Sequence, residues 1–123
     1  MQAIKLDTFT EAYVTCALWL TDEEPKSGAW LQNHPYTTEN IDAESLARIV
    51  ADCEQFQADN CADFTEYELA SAGHDYFLTR NGHGAGFWDG DWEPELGRKL
   101  TTYAARRGES SLYIGDDGRL YLY

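Results

Sequence analysis

The chain has 123 residues, 43% of them apolar and 14% aromatic, with 22 acidic side chains against 9 basic ones and a formal charge of -13. That length suits one domain with its own core, and that charge excludes a protein that grips nucleic acid by neutralising phosphates, which takes Lys and Arg. Cys16, Cys53 and Cys61 form no CxxC pair, so buried free thiols in a reducing compartment are expected; the lack of an amino-terminal h-region and of an apolar run of about 18 residues leaves secretion and membrane spanning unsupported.

Asp7 and Thr8 are candidate N-caps for a helix over about 8–21, in which Phe9, Tyr13, Cys16, Ala17 and Leu20 recur every three or four residues. Val14, Leu18 and Trp19 widen its apolar face, although TFTEAYVT also alternates like a strand. Residues 22–40 carry two prolines, a glycine and many cap-type residues, as an irregular connection would, with Trp30 and Leu31 to pin it. Asp42 caps the clearest element, a helix over about 43–59 whose buried stripe is Leu46, Ile49, Val50, Cys53 and Phe56; Glu44, Asp52, Gln55 and Asp59 are expected to face water. A further helix is expected over about 61–70. HDYFLTR then reads as a strand, RNGHG as a turn and AGFWD as a returning strand, giving a hairpin over about 74–89. Pro94 starts a helix over about 94–107, with Leu96, Leu100, Tyr103 and Ala104 on one face, Arg106 and Arg107 at its end and Gly108 as the cap. SLYIGDDGRLYLY closes as a second hairpin. The expected fold is α+β: three to four helices packed on a small antiparallel sheet.

The acidity is localised. Nine acidic residues and only Arg48 among the basic ones lie between Glu39 and Glu68. Carboxylates three or four residues apart on a helix stand roughly 5–6 Å from each other, near the spacing of successive phosphates, so such a face can imitate a nucleic-acid backbone; a plain solvated face is the simpler reading.

Residues 72–92 hold two of the three histidines, five of the ten glycines and two of the four tryptophans. As architecture, the glycines allow close approach and the aromatics fill a core. As a metal site, His74, Asp75, His83, Asp89 and Asp91 supply ligand types for a divalent ion, without a helical spacing such as HExxH. As a hydrolytic enzyme site, His74 beside Asp75, or His83 in its glycine loop, could act as a general base. No nucleophile stands at a diagnostic spacing. As a recognition surface, Arg80, Asn81, His83, Phe87 and Trp88 mix aromatic anchors with a cation. Neither GHGAG nor GDDG is a phosphate loop.

The string AGHDYFLTRNGHGAGFWD, followed by LGRKLTTYA and YIGDDGRLYLY, resembles a small uncharacterised family of proteins encoded by bacteriophages, plasmids and their hosts. The resemblance spans Ala72 to Tyr123 and implies a mobile-element origin and a bacterial cytosol. By analogy of size and charge with anti-restriction and anti-CRISPR proteins that imitate DNA, the expected function is non-catalytic binding of a basic protein partner. Nucleic acid and membrane are not expected as direct partners, and no cofactor is expected. The expected binding residues are Glu44, Asp52, Asp59, Asp63 and Glu66 together with the recognition set above; a metal or hydrolytic site at residues 73–91 is the alternative.

Overall fold

The computed structural model describes residues 6–19, 38–60, 65–82, 86–87, 92–115, 117 and 119–122. Among these the fold is α+β, with helices α1 (Thr8–Trp19), α2 (Ala43–Asp59), α3 (Leu69–Arg80) and α4 (Pro94–Arg107) and one antiparallel pair, β1 (Leu112–Ile114) and β2 (Leu120–Leu122). No described helix is long and apolar enough to cross a membrane.

Local signals account for the helix ends. The Thr10 amide donates to Asp7 Oδ1 at 2.8 Å and opens α1, and Asp42 accepts from the Ser45 amide to open α2. At the far end of α2 the buried Asn60 turns its side-chain amide back to the Phe56 carbonyl at 2.9 Å. Glu93 caps α4 ahead of Pro94, and Gly108 ends it at φ 81°.

The expected 74–89 hairpin is not formed. Residues up to Arg80 continue α3, and the Asn81–Gly82 pair is its end: Asn81 caps the helix and Gly82 follows at φ 72°. A type I′ turn and a helix C-terminus both call for a glycine at positive φ, so this dipeptide fits either. The segment also lacks helical periodicity for a physical reason. Ala72, Gly73, Asp75, Tyr76, Phe77, Leu78 and Arg80 are all buried, and a helix covered on most sides shows no polar face to mark its period. The helix expected over 61–70 is corrected likewise: residues 61–64 lie outside the described ones, a 3-10 turn spans Glu66–Glu68, and Leu69 begins α3. The Thr65 amide donates to Glu68 at 2.9 Å there.

Helix α3 runs closely along α1 because Gly73 has no side chain. A Cβ placed on it would stand 2.1 Å from the Phe9 carbonyl oxygen. Around this contact lies an aromatic core centred on Phe56, whose ring stacks on Phe9 at 5.0 Å and lies 4.4 Å from Tyr76 and 5.9 Å from Phe87. Tyr13 bridges Tyr76 and Phe77, and Trp92 meets Phe87 edge-on at 5.5 Å. Cys16 and Cys53 are buried in it as free thiols, both pushed up to about 12, chiefly by burial.

The hairpin seats on the start of α2. Leu112 and Leu120 point into the core, while the Asp42 amide donates to the Leu120 carbonyl at 2.8 Å and the Leu122 amide donates to Ser45 Oγ at 3.0 Å. The outer edge of β2 is closed in this way by helix α2.

Candidate functional site

The polar residues of α3 mostly face inward. Arg80 is 7% exposed, and all three nitrogens of its guanidinium are engaged: Nε donates to the Gly108 carbonyl at 2.8 Å, Nη1 to Asp52 and to the Tyr13 hydroxyl at 3.2 Å, and Nη2 to the Arg107 carbonyl at 3.4 Å. Its plane lies over the Tyr76 ring, 4.9 Å from the centroid. Asp52 in turn accepts from Arg80, from Arg107 Nη2 at 2.6 Å and from the Tyr76 hydroxyl at 3.0 Å. Every helix contributes: Tyr13 from α1, Asp52 from α2, Tyr76 and Arg80 from α3, Arg107 from α4.

Burial pushes the Asp52 carboxyl up, but the hydrogen bonds from Arg80, Arg107 and Tyr76 outweigh it and hold it below the usual carboxylate range. Burial also disfavours the Arg80 cation, and its phenol and carboxylate partners more than offset that. The two phenols are pushed up, chiefly by burial, and stay protonated. A carboxylate with three donors and a guanidinium engaged on every nitrogen have little capacity left for a substrate. The network locks four helices together.

Other residues of the motif are used the same way. Asn81 accepts from the Ser110 amide at 2.9 Å and donates to the Ser110 and Phe77 carbonyls, joining α3 to the chain entering β1. Thr79 Oγ1 accepts from the Phe87 amide at 2.9 Å, and Phe87 is 1% exposed. Arg80, Asn81 and Phe87, expected on a recognition face, are therefore placed inside or half-inside. Asp75, buried on α3, accepts from the Trp92 indole at 2.7 Å; its other oxygen lies 3.6 Å from Nδ1 of His74, which is 54% exposed. His83, Trp88, Asp89, Asp91 and Asp63 lie outside the described residues, as do Cys61, Trp30 and Leu31. Among the described residues no three His, Cys, Asp or Glu side chains are grouped to hold a metal ion.

The acidic surface differs from the expected ladder on α2. Asp52 sits half-inside, because it is three residues from Ile49 and four from Phe56, both buried, and so borders the apolar stripe. That spacing is the sequence signal for its role. The outermost ridge of α2 carries Ala47, Ala51 and Ala58, with Glu44 and Asp59 to one side of it and Glu54 to the other. Asp59 accepts from the Tyr103 hydroxyl and from Gln55 at 2.9 Å, and these bonds hold its carboxyl below the ordinary range. Glu66 leads the 3-10 turn before α3.

One carboxylate outside α2 is joined to it only by the fold. Asp7 Oδ2 accepts from Gln57 Nε2 at 3.1 Å, which fixes the start of α1 beside the second half of α2. Glu11, one turn beyond Asp7, and Glu54, one turn before Gln57, are exposed. Burial pushes Asp7 up, and the bonds from Thr10 and Gln57 outweigh it, so it stays ionised. Comparison of the chain with family models, curated proteins and solved structures gives no match.

Proposed function

We propose that this chain is a small non-catalytic binding protein that docks through the carboxylates of α1 and α2 on a basic protein surface in a bacterial cytosol. The observation that carries the reading is the Asp7–Gln57 hydrogen bond, which joins the start of α1 to the second half of α2, the two stretches that also carry the exposed Glu11 and Glu54. The internal network adds to it, since Arg80 and Arg107, two of the nine basic residues, neutralise Asp52 rather than the surface. A surface with so little cationic compensation attracts basic partners over a long range and repels nucleic acid. The surfaces that normally hold nucleic acid are the most basic a cell offers, so inhibition of a host defence or DNA-binding protein is the role that fits. The resemblance of residues 72–123 to phage- and plasmid-encoded proteins points the same way, with the motif itself serving as scaffold.

Replacing Glu11 and Glu54 together by Lys is expected to weaken capture of a basic host protein by about tenfold or more at low salt, with unchanged thermal unfolding. Affinity that does not respond to the double reversal or to salt would remove the electrostatic basis of the reading.

A second reading rests on the His74–Asp75 pair. A carboxylate held by the Trp92 indole stands 3.6 Å from Nδ1 of an exposed imidazole, the kind of neighbour that general bases and metal-bound histidines have. Under this reading His74, Asp75, His83 and Asp89 form a metal or hydrolytic site. It predicts a stoichiometric divalent ion in protein purified without chelator, lost in His74→Ala while the far-UV circular dichroism is retained; protein free of such an ion sinks it.

A further inference from the structure

We infer that the ring of Tyr67 is the point at which this protein takes hold of an arginine side chain of its basic partner; this rests on the docking role proposed for the carboxylates of α1 and α2. Tyr67 lies in the 3-10 turn Glu66–Glu68 that leads into α3, and it is 89% exposed. Other described tyrosines are engaged: Tyr13 and Tyr76 are buried, Tyr103 donates to Asp59, Tyr121 donates to Asp117, and Tyr113 stacks on Tyr121. Among the described residues nothing bonds to the Tyr67 hydroxyl and no ring packs on it. The local sequence explains why its ring stays bare. On a helix a tyrosine packs against the side chains three and four residues away, and here those are Ala70 and Ser71, both exposed and too small to cover it. His74, 54% exposed, continues the same uncharged stripe.

Charge complementarity selects the occupant. Between Arg48 and Arg80 the chain has no Lys or Arg and seven Asp or Glu, and Glu66 and Glu68 adjoin the tyrosine directly. The Glu68 carboxylate is fixed, since its Oε1 accepts from the Thr65 amide at 2.9 Å and from the Thr65 hydroxyl at 3.4 Å. A negative charge is thereby held one residue from the ring, inside the roughly 10 Å over which charges act in ordinary salt. An aromatic ring presents a negative face, so a bare ring among carboxylates attracts a cation. Of the two cationic side chains, a guanidinium suits it better than an ammonium: it is planar, lies flat on the ring and gives up its hydration more cheaply. A nucleobase also stacks on tyrosine, but the phosphates attached to it need cations that this stretch lacks. Carboxylates alone draw a basic surface in without distinguishing its side chains. The exposed ring adds that distinction, and tyrosine is among the residue types in which binding energy concentrates.

Titration of the full chain at low salt with oligo-arginine and oligo-lysine peptides of equal length is the test. Tyr67→Ala is expected to weaken oligo-arginine about threefold, the scale of an exposed cation–π contact, and oligo-lysine less than that. Tyr67→Phe keeps the ring face without the hydroxyl and is expected to bind as the wild type does. Both variants are expected to unfold at the wild-type temperature, because the ring is exposed. Replacing Glu11 and Glu54 by Lys separates the arginine site from the docking surface, since that change is expected to weaken both peptides alike. Sensitivity to the charge reversal with none to Tyr67→Ala removes the arginine site and leaves the docking surface, whereas sensitivity to Tyr67→Ala alone does the reverse. Equal losses for the two peptides, a Phe variant as weak as the Ala variant, or binding of neither peptide overturns the arginine site. A wild-type dimer that Tyr67→Ala abolishes in sedimentation gives the ring to a second copy, and overturns it too.

Discussion

Arg80→Ala is expected to lower the stability of the protein by about 3 kcal/mol, the low end of the range for removing one partner of a buried ion pair. The low end applies because Asp52 keeps Arg107 and the Tyr76 hydroxyl as donors. The Tyr13 hydroxyl and the Gly108 carbonyl each lose a partner as well. For a domain of this size the loss corresponds to a fall of about 10 °C in Tm. Arg80→Lys is expected to recover only part of it, since an ammonium cannot reach Asp52, Gly108 and Arg107 from one plane. Chemical denaturation reads the effect, and a change below about 0.5 kcal/mol, the level of an exposed surface substitution, would show the network to be incidental.

The same network fixes the sign of an acid effect. Asp52 has a folded-state pKa below its ordinary value of 3.8, so below that pH the unfolded chain binds more protons than the folded one. Its contribution is fully present above pH 3.8 and is lost as the pH falls through the lower folded value. Protonation of the many exposed carboxylates also relieves repulsion in acid, which obscures the effect in the wild type alone. The difference in stability between wild type and Asp52→Asn cancels that general term. It is expected to be constant from neutral pH down to about pH 5 and to shrink below pH 4; a difference that grows in acid would reverse the assignment.

Gly73→Ala is the second large effect, and here secondary and tertiary structure predict opposite signs. In an isolated helix alanine is better than glycine by about 1 kcal/mol. In this fold the added methyl meets the Phe9 carbonyl at 2.1 Å, and that neighbour is backbone rather than the end of a flexible side chain. Helix α1 must move away from α3, disturbing the stack of Phe9 on Phe56. Overpacking of this kind costs about 3 kcal/mol, so a net loss near 2 kcal/mol is expected. Ser71→Ala, at an exposed position one turn from Asp75, is expected to be neutral or slightly stabilising. An equal response of the two variants to thermal unfolding would mean that α1 and α3 do not approach this closely.

The amino-acid order by itself determined α2, α4 and the closing hairpin, because each carries its own punctuation. Asp42 and Asn60 bracket α2, Pro94 and Gly108 bracket α4, and alternating Leu and Tyr flank the turn after Gly115. It also determined that Phe56 and Cys53 are core and that the chain is strongly acidic. Where an element has one buried side and one wet side, period reports structure directly. Tertiary structure decided the rest. Helix α3 was illegible as a helix because its neighbours cover it on most sides, so the contrast from which a period is read is absent. The placement of Asp52 and Arg80 was illegible for a related reason: a charged residue is drawn inside only when a partner from another part of the chain satisfies it, and Asp52 and Arg80 are 28 positions apart. The joining of Asp7 to Gln57 is likewise a product of helix packing, which alone brings residues 50 positions apart into contact.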